Sequence, residues 1–128
     1  MTLAWKDLAL VAAGGALGSA SRYLVGKAMG PTADASVPWH TFVVNATGAF
    51  VLGLLVVLAG RLGWPSWWRP LIAVGLLGGY TTFSTFSLET VELALTGHGG
   101  TAAAYAAGSL VAGLAGAALG IWLGRTVA

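Results

Sequence analysis

The chain has no cysteine, which excludes disulfides, thiolate metal sites and cysteine nucleophiles. Charge is almost as scarce. Only 8% of the 128 residues are Asp, Glu, Lys or Arg, against about 25% in an ordinary soluble domain. With 57% of residues hydrophobic, there is too little polar surface to clothe a water-exposed globule, and an all-α integral membrane protein is expected. The net charge of +2 is scattered along the chain. No basic run points to nucleic acid and no acidic block to a tail. Histidine occurs only at His40 and His98, both at loop edges, with no acidic pair at metal-ligand spacing. Hydroxyls are plentiful, but no general base accompanies them. An enzyme is therefore not expected.

What remains is apolar sequence with sparse punctuation. A spanning helix needs about 20 mainly apolar residues, and four candidates use nearly the whole chain, 1–128, as one transmembrane domain. They cover about 8–29, 39–62, 67–95 and 101–123. Pro31, Asp34 and Pro38 mark the first loop. "RLGWPSWWRP" makes a short aromatic and basic second loop, in which Trp64, Trp67 and Trp68 with Arg61 and Arg69 form an interfacial belt. "TGHGG" is a tight turn. The N-terminal stretch "MTLAWKDLAL" runs straight into apolar sequence, and Arg22 and Lys27 follow the small residues that would imitate a cleavage site. It is expected to be a retained membrane helix.

Four spans put both termini on one side. Lys6, Arg61, Arg69 and Arg125 fall there, while Arg22 and Lys27 lie toward the other. This weak bias favours cytoplasmic termini and is compatible with insertion both ways. Small residues recur on helix faces, Gly15, Ser19 and Gly26 in the first span, where Arg22 shares the face, and Ser109, Gly113, Gly116 and Gly120 in the last. Such faces let helix backbones approach closely, within a subunit and between subunits. So small a bundle encloses little interior, and a two-fold dimer is expected.

The third span is the most informative. In "GGYTTFSTFSLET" two glycines and six hydroxyls (Tyr80, Thr81, Thr82, Ser84, Thr85 and Ser87) precede Glu89 inside an apolar run. Poor helix formers followed by Ser and Thr suggest a helix broken near its middle, at about 78–82. Broken backbone at membrane depth is tolerated only where it is buried in protein or lines a cavity. Carbonyls freed there can coordinate a cation, and the helix that resumes favours an anion at its N-terminus. Phe83 and Phe86 share a face, either as core filling or as part of a path. Ser84, Thr85 and Ser87 line adjacent faces. Upstream, Thr41, Asn45 and Gly48 share one face of the second span, and Asn45 serves either as interhelical glue or as a donor to a ligand. Arg22 is the charge placed well inside a span, a functional residue by default unless it snorkels to the nearer interface.

With "FVVNATGAF" before it and "AAAYAAGSL" after it, "GLLGGYTTFSTFSLETVE" closely resembles the Fluc (CrcB) family of fluoride channels. The resemblance covers the whole chain, including its length, its four spans and its Gly-rich first helix with an arginine. It implies a dual-topology homodimer of two antiparallel copies in the membrane lipid of a bacterial plasma (inner) membrane. The implied function is passive export of fluoride through two pores along the subunit interfaces, which lowers fluoride toxicity. It also implies a central structural sodium ion held by the backbone carbonyls of Gly78 and Thr81. Asn45, Phe83 and Phe86 match the pore asparagine and phenylalanines. Thr41, Ser84 and Thr85 match a polar track, and Tyr105 and Ser109 match polar positions of the fourth helix. Arg22 matches a vestibule arginine and Glu89 a glutamate near the pore end.

Two other readings compete with the channel. A small dual-topology proton-coupled exporter generally needs a titratable carboxylate deep in the membrane. The first two spans offer none, and Glu89 and Glu92 lie toward one end of the third. A non-transporting assembly subunit explains the small-residue faces but not the hydroxyl-rich third span.

Overall fold

The computed structural model describes residues 4–127; residues 1–3 and 128 of the expected domain lie outside the described residues. Among the described residues all regular structure is helical, and four helical stretches are long and apolar enough to cross a membrane: Trp5–Met29, Trp39–Leu62, Arg69–Leu95 and Gly99–Val127. At about 1.5 Å rise per residue, even the 24-residue second span exceeds a hydrocarbon core of about 30 Å. Leu17, Leu24, Val56, Leu88, Leu114 and Trp122 are exposed, as side chains that face lipid tails should be.

Local chemistry sets the ends. Helix α1 (Trp5–Met29) has Asp7 in its first turn and Lys27 in its last, the polarity that complements the helix dipole. Gly30, at φ 77°, closes it by donating to the Gly26 carbonyl. Helix α2 (Trp39–Leu62) starts after Pro38 and ends on Gly63 in the left-handed region. The Arg61 guanidinium caps the far end of the chain by donating to the Arg125 carbonyl. After the Trp64–Trp68 edge-to-face pair, the third span opens as a π-helical segment, Arg69–Leu77, and continues as a single turn, α3 (Gly78–Tyr80). Thr81 and Thr82 are extended (φ −82°, ψ 158° and φ −151°, ψ 111°). Helix α4 (Phe83–Leu95) follows, then α5 (Gly99–Val127), which extends beyond its apolar run at both ends.

Two close helix pairs build the subunit. Helix α1 packs on the π-helical segment, and α2 packs on α5. In the first pair a Cβ added at Gly14 would collide with the Leu71 carbonyl oxygen, and one at Gly18 with that of Leu76. The contact face of α1 is therefore centred on Gly14 and Gly18, both buried, while the adjoining Gly15 and Ser19 of the expected stripe lie against Gly79. In the second pair Gly53 lies against the Ala117 carbonyl and Gly120 against that of Phe50. Gly116 and Gly124 continue the α5 face, whereas Gly113 faces open space. Overpacking such a contact costs about 1–3 kcal/mol or more. Gly120→Leu is therefore expected to lose the monodisperse species in detergent, while a leucine at exposed Ala118 is tolerated; size-exclusion chromatography of both variants checks this.

Candidate functional site

The site is organised by the two extended threonines. In a continuous helix the Thr82 amide would donate to the Gly78 carbonyl. Here it donates to Asn45 Oδ1 at 2.7 Å, and Asn45 Nδ2 donates back to the Thr82 carbonyl at 3.0 Å. One side-chain amide thus satisfies both backbone groups of a residue that has left the helix. Helix α2 can reach in because of its Thr41–Asn45–Gly48 face: a Cβ on Gly48 would collide with Thr81 Cγ2. Thr81 closes α3 by sending both its amide (3.0 Å) and its hydroxyl (2.9 Å) to the Leu77 carbonyl. Thr82 then opens α4 as its N-cap, accepting from the Thr85 amide at 3.2 Å and donating to Thr85 Oγ1 at 3.0 Å.

The carbonyls freed at this point divide into two groups. That of Gly79 accepts from Arg22 Nε at 3.1 Å, and that of Thr82 from Asn45. Among the described residues no side chain, and no backbone N–H outside the helices, donates to the carbonyls of Gly78 and Thr81. These two residues line one cleft of about 280 Å³ together with Asn45, Gly48 and Leu77. Backbone oxygens are the donor set a hard cation prefers, so Gly78 and Thr81 fit a sodium ion chemically, two ligands from one chain.

Two larger cavities meet at Thr82. One, of about 500 Å³, is lined by Arg22, Lys27, His40, Thr41, Thr82 and Thr85 among others, and carries positive charge. The other, of about 340 Å³, is lined by Asn45, Thr82, Phe83, Phe86, Ser109 and Leu114 among others. There the Phe83 and Phe86 rings lie 5.8 Å apart, and Phe86 meets Tyr105 edge-on at 5.2 Å. The Ser109 hydroxyl is buried with no hydrogen-bond partner, an orphan donor facing an apolar cleft. Phe83 is 79% exposed, so the fold of a single chain does not rest on its ring. Ser84 is also exposed and touches the site only through Thr82 Oγ1, at 3.3 Å.

Glu89 gathers the remaining polar groups. Thr41 donates to its Oε1 at 2.8 Å, Tyr105 to its Oε2 at 2.6 Å, and His40 Nε2 lies 3.4 Å from Oε1. Thr41 and Tyr105 are each only 1% exposed, so their hydroxyls are held on the carboxylate by packing. The structure therefore brings Asn45, Phe83, Phe86 and Ser109 to one cavity, Arg22, Thr41 and Thr85 to the other, and joins Thr41 and Tyr105 through Glu89. Sequence reasoning missed Thr82, Gly79 and His40. Thr82 carried a signal, since a threonine three residues before Thr85 after a Gly-Gly pair is a capping pattern. Gly79 and His40 owe their roles to partners far away in sequence, which no local pattern reveals.

The family model described as CrcB-like protein, Camphor Resistance (CrcB), matches residues 9–121. Among curated relatives, a protein of Nitrobacter winogradskyi named fluoride-specific ion channel FluC is 44% identical over 124 residues, covering 96% of this chain and 98% of that protein. One of Agrobacterium fabrum with the same name is 46% identical over 122 residues, covering 94% of this chain and 98% of that protein. Fluoride-specific ion channel FluC 3 of Streptomyces avermitilis is 47% identical over 120 residues, covering 92% of this chain and 58% of that protein.

Proposed function

Because this chain belongs to the CrcB family, we propose that it is a passive fluoride channel of the bacterial plasma membrane. Its relatives carry the name of an ion channel, and the chain is not an enzyme. The observation that carries the reading is the position of Thr82. Held by Asn45, it stands between a cationic cavity and a phenylalanine-lined one.

Fluoride is small and strongly hydrated, so its water must be replaced by good donors. Arg22 and Lys27 concentrate the anion in the first cavity. The Thr82 and Thr85 hydroxyls and the Asn45 amide hydrogen not used by Thr82 then lie along the way. Beyond them the positive ring edges of Phe83 and Phe86 and the free hydroxyl of Ser109 receive the ion. Edge contacts are individually weak, which suits conduction, where an ion must bind well enough to enter and loosely enough to leave. Thr41 and Tyr105 contribute donors now pointed at Glu89 near the pore end, and Ser84 extends the hydroxyl track. A narrow, donor-lined path disfavours larger chloride.

Completion of the path needs a second copy. Phe83 is uncovered in a single chain, and the Gly78 and Thr81 carbonyls lie in an open cleft. An antiparallel partner, with which the weak bias of the cationic residues is compatible, would cover both faces and build two pores, each lined by both subunits. A sodium ion at the crossing would take the Gly78 and Thr81 carbonyls of each copy. Such an ion would supply fixed positive charge to compensate acceptors otherwise unsatisfied in lipid. Exchange of sodium for a bulky organic cation during purification is then expected to lower dimer stability; an unchanged monomer–dimer equilibrium contradicts the structural ion. Fluoride efflux from proteoliposomes without a proton gradient tests the channel reading itself. Efflux that requires such a gradient favours an exporter working through Glu89.

A further inference from the structure

We propose that His40 is a proton-controlled positioning residue for Glu89, so that the anion path conducts better when the His40 imidazole is protonated. The inference rests on the channel reading above. Among the described residues His40–Glu89 is the only acid–base side-chain contact within 4 Å, at 3.4 Å from Nε2 to Oε1. Neither partner is freely solvated, the side chains being 32% and 16% exposed. The imidazole stands in the first turn of α2, next to Thr41, with the Thr32 hydroxyl 3.4 Å from Nδ1. Its edge lies close to Gly26 of α1, where an added Cβ would come within 3.9 Å of it.

The surroundings give the contact a direction. From α1, Arg22, Tyr23 and Lys27 share the cationic cavity with His40. From α4 come Glu89 and Glu92, which line an adjoining cleft with Asp34 of the α1–α2 loop. From α5, Tyr105 is bonded to Glu89 Oε2. Glu89 is the negative group that touches Thr41, a residue of the cavity wall. With neutral His40, its carboxylate, one hydrogen bond behind the cavity wall at Thr41, is offset only by hydroxyl donors and repels an incoming anion. With protonated His40, Oε1 is paired with a cation, and the cavity gains a positive group beside Arg22 and Lys27. Imidazole is the side chain suited to change charge between about pH 5 and 8.

The test is fluoride efflux from proteoliposomes at equal internal and external pH, stepped from pH 8 to pH 5.5, for wild type, His40→Gln and His40→Lys. The background in protein-free liposomes is subtracted, because undissociated hydrogen fluoride crosses lipid unaided. Wild-type flux is expected to rise about three- to tenfold toward acid. His40→Gln should be flat at the wild-type pH 8 level, and His40→Lys, with a fixed charge, flat near the acid level. A purely structural role for His40 would shift all pH values together and leave the profile unchanged. A wild-type profile in either variant overturns the inference, as does a pH-independent wild type that conducts. Absence of fluoride movement at every pH overturns the channel reading and this inference with it.

Discussion

Asn45→Asp is expected to cut fluoride flux by about a hundredfold or more while the protein still assembles. The carboxylate is nearly isosteric with the amide and can still accept from the Thr82 amide, so the extended backbone keeps one of its two anchors. It loses the donor to the Thr82 carbonyl, and leaving a buried acceptor unpaired costs about 1–3 kcal/mol. More important, it places a negative charge on the proposed anion path. Two like charges about 4 Å apart repel by about 4 kcal/mol at an effective dielectric constant near 20, which corresponds to several hundredfold in rate. Flux measured beside size-exclusion chromatography of the same sample checks both halves. Wild-type flux in the variant removes Asn45 from the path, whereas loss of assembly makes the Thr82 clamp primarily structural.

Phe83→Ile is expected to have the second-largest effect, roughly a tenfold or greater loss of flux with no change in folding. The separation of the two outcomes comes from burial. Phe83 is 79% exposed in the subunit, so replacing it leaves no core cavity of the kind that makes large-to-small substitutions costly. Isoleucine keeps the site apolar but has no ring, hence no positive edge to present to an anion. Phe86 differs. It packs against both Phe83 and Tyr105, and its loss would also disturb the Tyr105 hydroxyl on Glu89. Electrode-recorded efflux from liposomes holding equal amounts of wild type and Phe83→Ile decides the matter; equal rates would make Phe83 a passive filler.

The four spans were legible because hydropathy alone requires them. The second span, Trp39–Leu62, is bounded by Pro38 and Gly63, residues that mark helix ends in the sequence. The buried centre of the α1 contact face, Gly14 and Gly18, lies one position before the expected Gly15 and Ser19, and the reason is physical. That helix is rich in small residues all round, so spacing alone does not select the face. Contact with the π-helical segment selects Gly14 and Gly18. The π winding of Arg69–Leu77 left no sequence signal, since its apolar run reads like that of any membrane-spanning helix. At the site, the Thr41–Asn45–Gly48 face was readable from helical periodicity. Its partner was not, because the Asn45 amide binds backbone at Thr82, and backbone carries no sequence signature. The same holds for Arg22, whose target is the Gly79 carbonyl. Sequence showed Arg22 as a charge in an apolar helix; the structure makes it a cap on freed backbone that still lines the cationic cavity.

The most direct measurement is anion efflux from proteoliposomes loaded with both fluoride and chloride, with no proton gradient and each ion followed by its own electrode. A channel built on Asn45, Phe83, Phe86 and Ser109 should release fluoride rapidly and passively while chloride stays inside. Retention of fluoride by folded, reconstituted protein, or release of both ions together, would contradict it.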